Sequence, residues 1–166
     1  FPTRRSSDLD KAYGTKNDLK YLIDKCHENG IAVILDMVFN QADAENSYVK
    51  MYWDGNKPLA TNPFFNPSAT HPYSVFYDFN HESVHTQWYI DLVTNFWLTE
   101  FKIDGFRFDL SKGFTQTNSG TNVDYWGRYD ASRVKIWKRI FDKIRSYDES
   151  AYVILEHFAD NNEELE

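Results

Sequence analysis

Three short apolar runs constrain this chain more than any other feature: "IAVILDMVFN" (31–40), the stretch around 103–110 that ends "GFRFDL", and "AYVILEHF" (151–158). Each is rich in β-branched or aromatic residues and carries one carboxylate near its end. Unbroken runs of this kind read as strands buried on both faces of a parallel sheet. Helical periodicity fills the intervals. In "GTKNDLKYLIDKCHENG", Leu19, Leu22, Ile23 and Cys26 recur at helical spacing, Thr15 and Asp18 form a capping-box pattern, and Gly30 is a natural stop. Around 84–101, Leu92, Val93, Phe96 and Trp97 mark a second helix, with Ser83 as its N-cap. A polar loop then leads to a third helix carrying Val134, Trp137, Ile140, Phe141 and Ile144.

Residues 41–80 break the alternation. They hold Pro58, Pro63, Pro67 and Pro72 among many aromatics and read as an irregular insertion. Strands alternating with helices predict a parallel α/β arrangement with right-handed crossovers. A doubly wound sheet and a piece of a (β/α)₈ barrel both fit. The sequence has no G-x-G-x-x-G and no Walker loop, which weighs against the nucleotide-binding versions.

At 166 residues the chain is one domain or part of a larger one. It is 42% hydrophobic and 17% aromatic, too apolar for a disordered chain. A net charge of −7 disfavours a nucleic-acid partner. No apolar run approaches the roughly 20 residues of a membrane span. Cys26 is the single cysteine, so there is no internal disulfide framework, and it reads as core packing. The opening "FPTRRSSDL" (1–9) reads as translated adaptor sequence and is set aside, leaving 10–166 for the fold. The closing "NNEELE" reads as the first turn of a further helix.

Side chains alternate faces along a strand. Phe106, Phe108 and Leu110 therefore share one face of the second run, and Arg107, Asp109 and Ser111 share the other. Comparison of "VILDM", "FRFDL" and "VILEH" puts Asp36, Asp109 and Glu156 at equivalent places near three strand ends. In parallel α/β folds those C-terminal ends build the active site. Burial of unpaired carboxylates is costly, so three acids at one layer read as a site in preference to a structural ion-pair network around Arg107. Two carboxylates about 5 Å apart serve a retaining glycosidase as nucleophile and general acid/base. Arg107 is placed to keep Asp109 ionised, and Glu156 has the longer reach of an acid whose proton a neighbouring anion would hold.

At these residues the chain resembles the α-amylase family of glycoside hydrolases. "DMVFNQ" (36–41), "GFRFDLSK" (105–112) and "ILEHF" (154–158) are similar to three of its strand-end segments, and "YDFNHES" and the first helix–strand unit also read like it. The resemblance implies a partial (β/α)₈ barrel, about its third to fifth strands, with 41–80 as a short version of the loop domain after the third strand. It implies Asp109 as nucleophile and Glu156 as general acid/base, with Arg107 orienting the nucleophile and Asp36 supporting Arg107. Lys112 and Gln41 would contact sugar, and His157 would border the site. Asn40 and Asp78 would bind calcium, with the Gly113 carbonyl as a third ligand; oxygen donors suit that ion.

The implied activity is retaining hydrolysis of α-glucans such as starch. Glycosyl transfer by a branching-type enzyme is the alternative within the family, and a non-catalytic glucan-binding relative is a third reading that the presence of both acids disfavours. The family's third catalytic aspartate comes from a strand beyond this chain, so the chain alone is expected to be inactive. Family resemblance favours a secreted, periplasmic or cell-surface location. Two departures stand out: Gln41 occupies a usual histidine position, and Gly113 follows the lysine where histidine is common. The insertion's aromatics read mostly as a small core, with Trp53 and Trp126 singled out as surfaces for a sugar ring.

Overall fold

The computed structural model describes residues 11–73, 75–158 and 162–165. The stretch 1–9 lies outside them. A 3₁₀ turn at Lys11–Tyr13 precedes α1 (Lys16–Glu28) and β1 (Ile34–Met37). The insertion contributes β2 (Gln41–Ala42), the single turn α2 (Ser47–Lys50) and β3 (Tyr77–Asp78). Then come α3 (Val84–Phe96), which runs on into a π turn at Trp97–Phe101, and β4 (Gly105–Phe108). A 3₁₀ turn at Ser111–Gly113, α4 (Val123–Trp126), α5 (Ala131–Tyr147), β5 (Tyr152–Leu155) and a 3₁₀ turn at Asn162–Leu165 complete the order.

The main sheet has the order β1-β4-β5, with both pairs parallel. Leu35, Phe106 and Val153 form one row across it, and Met37, Phe108 and Leu155 the next on the same face. Phe106 and Phe108 are wholly buried there. The Phe108 ring lies 5.0 Å from Trp137 of α5, and Ile90 of α3 with Ile140 and Ile144 of α5 complete this core. Arg139 of α5 grips Asp91 of α3 with both amino groups, at 2.7 and 2.5 Å, tying the two covering helices together.

The opposite face is open. Tyr152 and Ile154 are 56% and 46% exposed, so the expectation of strands buried on both faces holds on one face only. Ile34 on the same face is half-buried.

Local signals act as the sequence suggests. Thr15 Oγ1 accepts the Asp18 N–H, while Asp18 Oδ2 accepts the Thr15 N–H. Gly30, at φ +70°, donates to the His27 carbonyl as Ile31 reaches back to Cys26, which closes α1. Ser83 Oγ caps α3. The apolar stripes are less faithful. Ile23 is buried, whereas Leu22, Leu92 and Phe141 are exposed, and Cys26 is half-buried. In α5 the buried set includes Arg133 and Ile136, which periodicity did not select.

The insertion is pinned by a short antiparallel pair, Gln41 opposite Asp78. Its aromatics form a local core, with Tyr48 stacked on Phe64 and Phe65 on Phe79, each at 4.3 Å between ring centres.

Candidate active site

Arg107 stands in the central strand with its side chain on the open face. Its Nη1 lies 2.7 Å from Asp36 Oδ1 and 3.1 Å from Asp109 Oδ1, and its Nη2 lies 2.6 Å from Glu156 Oε1. One guanidinium thus holds all three strand-end acids, and both candidate catalytic carboxylates fall within its span. Its pKa is raised, chiefly by the hydrogen bond to Asp36.

The register corrects one expectation. Asp36 pairs with Arg107 itself, whereas Asp109 and Glu156 each follow the Phe108–Leu155 pair. Asp36 therefore sits one side-chain layer below the other two acids, and β1 enters the sheet two residues out of step with the motif comparison. A fork five donors wide can bridge that offset.

Backbone contacts hold the upper layer in place. The Asp109 N–H donates to the Met37 carbonyl and the Glu156 N–H to the Phe108 carbonyl, so the ladder continues past the last strand residues. Leu110 N–H donates to Glu156 Oε2 at 2.9 Å. Leu110 and Phe158 take positive φ values of 44° and 48°, left-handed conformations that bulky residues rarely adopt. They lie just beyond Asp109 and Glu156, where such strain is commonly found.

A second polar cluster lies buried where the insertion meets the end of β1. Asn40 Nδ2 donates to Gln41 Oε1 at 2.7 Å, leaving Asn40 Oδ1 without a partner. Asp78 Oδ2 accepts from Asn66 Nδ2 and the Thr70 N–H, leaving Oδ1 with no hydrogen bond. His71, only 2% exposed, has both ring nitrogens free of hydrogen bonds and puts Nε2 3.4 Å from Asp78 Oδ1.

Gly113 closes this cluster. A Cβ there would lie 1.9 Å from Asn40 Oδ1 and 2.8 Å from His71 Nε2, so only glycine leaves the space those atoms face. Orphaned buried acceptors cost about 1–3 kcal/mol each, and two oxygens without hydrogen bonds in one buried cluster suit a cation. The Gly113 carbonyl meanwhile accepts the Thr115 N–H. Among the described residues no three His, Cys, Asp or Glu side chains converge as metal ligands; here the donors are amide, carboxylate and imidazole. His71 has no motif spacing in "SATHPYS", and only the folded insertion brings it to Asp78.

Residues 4–76 match the family model for the α-amylase catalytic domain. The 1,4-α-glucan-branching enzyme 2-2, chloroplastic/amyloplastic, of Arabidopsis thaliana is 33% identical over 119 residues, covering 70% of this chain and 14% of that protein. The maltogenic α-amylase of Bacillus acidopullulyticus is 32% identical over 117 residues, covering 63% of this chain and 20% of its own length. The crystal structure of Bacillus licheniformis trehalose-6-phosphate hydrolase superposes with a TM-score of 0.73 over 97% of this chain and 36% of that one; at 18% identity this is a likeness of fold. The chain belongs to the α-amylase family. It spans 14% and 20% of the two curated relatives' lengths.

Within this α-amylase segment the remaining site residues are engaged with protein. Lys112 is buried, donates to the Phe158 carbonyl at 3.0 Å and lies over the Trp126 ring. His157 is 3.0 Å from Ser111 Oγ and 2.9 Å from Glu163 Oε2. Burial lowers the His157 pKa, with Glu163 opposing. Gln41 spends its amide oxygen on Asn40. Trp126 is largely buried, with Tyr73 beside it and half exposed, and Trp53 packs on Tyr77.

Arg133 and Glu163 form a clamp that sequence reasoning missed. Arg133, 1% exposed, contacts Glu163 through Nε at 2.7 Å and Nη2 at 2.6 Å and donates to the Lys112 and Arg128 carbonyls. The clamp joins the segment after β5 to the segment after β4. Its sequence signal, an arginine on the apolar side of α5, reads locally as a surface charge.

Proposed function

We propose that this chain is the part of a retaining α-glucan hydrolase that supplies the nucleophile and the general acid/base, with β1, β4 and β5 as the third to fifth strands of the barrel and residues 41–80 as its short loop domain. The observation that carries this is the single guanidinium of Arg107 joining Asp36, Asp109 and Glu156 at adjacent parallel strand ends. In the first step an Asp109 oxygen bonds to the anomeric carbon as the bond to the glycosidic oxygen breaks, and that oxygen takes the Glu156 proton. In the second, Glu156 takes a proton from water, whose oxygen displaces Asp109 from the sugar. Glu156 meets the glycosidic oxygen only after leaving Arg107, so sugar entry breaks that pair.

Asp109→Asn and Glu156→Gln in the whole enzyme should each cut starch hydrolysis by about 10²–10⁴-fold or more while leaving glucan binding in place. A 2-fluoro glycosyl fluoride should label Asp109, read by peptide mass spectrometry. Turnover near wild type in either variant moves the chemistry elsewhere. The 166-residue chain alone should show no turnover and melt without cooperativity, because its sheet face and both outer strands are open.

Transfer to a second sugar is the alternative, favoured by the 33% identity to a branching enzyme. New branch points in amylose without new reducing ends would establish it. We also assign Asn40 Oδ1 and Asp78 Oδ1 to a cation, which would tie the insertion to the end of β1.

A further inference from the structure

We propose that His71 is a ligand of the cation in the buried pocket, and that its imidazole turns the pocket from a calcium site into one that prefers a borderline transition dication such as zinc or cobalt. The inference rests on the reading above that a cation sits at Asn40 and Asp78.

Three buried donor atoms there make no hydrogen bond: Asn40 Oδ1, Asp78 Oδ1 and His71 Nε2, the last two 3.4 Å apart. They come from three parts of the chain. Asn40 follows β1, Asp78 ends β3, and His71 lies in the insertion loop. Gln41 fixes the Asn40 amide so that its oxygen faces inward, because Gln41 Oε1 accepts the Asn40 Nδ2 hydrogens. Asn66 and Thr70 occupy the outer oxygen of Asp78 and aim the inner one at His71. Asn40 Oδ1 and His71 Nε2 both abut Gly113, where a Cβ would lie 1.9 and 2.8 Å from them. The Trp126 ring covers His71 from the outside, 6.2 Å away and nearly parallel.

The donor chemistry decides the metal. Calcium takes six to eight oxygens and gains little from an imidazole. This pocket has two free side-chain oxygens, and its third free donor is a nitrogen. Imidazole with a carboxylate suits zinc, cobalt and nickel, whose affinities exceed those of the hard dications at such sites. His71 Nε2 makes no hydrogen bond and faces Asp78 Oδ1 at 3.4 Å, so one cation could take both atoms.

The test uses the whole enzyme stripped of metal, with cobalt(II) as a spectroscopic probe beside calcium. Equilibrium dialysis with elemental analysis should show cobalt binding at least about tenfold more tightly than calcium, with visible bands of a nitrogen-containing site. His71→Asn, which exchanges nitrogen for oxygen, should weaken cobalt by about tenfold or more while calcium binding holds or improves. His71→Gln serves as a second variant, and the wild-type cobalt-to-calcium ratio needs no variant at all. Calcium binding that is tighter than cobalt and indifferent to His71 overturns the role of His71 but keeps the cation reading. No binding of either ion at Asn40 and Asp78 overturns both.

Discussion

Two arginines in this chain each gather acids, under opposite conditions. Arg107 sits on the open sheet face, its side chain 27% exposed, and holds Asp36, Asp109 and Glu156. Arg133 sits in the first turn of α5, 1% exposed, and holds Glu163 and backbone carbonyls. The first has more charged partners than it needs and solvent to share them with; the second has a closed set in which every group depends on the others. Coulomb attraction is present in both, but burial decides what its loss costs. An arginine open to solvent can exchange its partners, whereas one sealed in the interior is fixed by the fold.

The largest expected effect is at the closed cluster. Arg133→Ala strands Glu163 in the interior and should cost about 3–5 kcal/mol in denaturant unfolding of the whole enzyme. Combining Arg133→Met with Glu163→Leu should recover part of that loss, since it removes both charges but leaves the Asp130 N–H, His157 Nε2 and the Lys112 and Arg128 carbonyls without these partners. A single variant that unfolds like wild type would erase the distinction between the two arginines.

Next comes Arg107→Ala, which should lower kcat/KM by about 10²–10³-fold, the range for loss of one preorganised charge donor. The two clusters should also differ in acid. His157 and Glu163 both have lowered pKa values in the fold, the first through burial and the second because Arg133 and His157 outweigh its burial. The folded state thus binds fewer protons than the unfolded one, and stability must fall as pH drops below about 6.5 for His157 and again below about 4.5 for Glu163, by at most about 1.4 kcal/mol per unit and proton. Urea unfolding at pH 7, 5.5 and 4 checks this, and His157→Asn should flatten the upper part of the decline.

The smallest effect expected is that of Arg107→Ala on stability. Exposed ion pairs contribute about 0–1 kcal/mol, so the variant should melt close to wild type while turning over poorly. A large loss of stability would place Arg107 with Arg133.

Both helix starts at Thr15 and Ser83, the stop at Gly30, the three strands and the shared face of Arg107 and Asp109 were legible in the sequence. Capping, helical periodicity and strand alternation act over a few residues, so the chain states them locally. Asp109 and Glu156 were legible for the same reason, each being the first residue past an apolar strand. The layer of Asp36 was not. It depends on the register of β1 against β4, which is set by long-range pairing across the α3 crossover. The same holds for the partners of Arg133 and His71, which the sequence presents as a lone helical charge and a lone loop histidine. Their acids, Glu163 thirty residues and Asp78 seven residues along the chain, meet them only through tertiary folding. Local physics wrote the elements and two of the acids into the sequence; only tertiary packing decided which polar groups share a dry pocket, because burial is a property of the whole fold and not of any one segment.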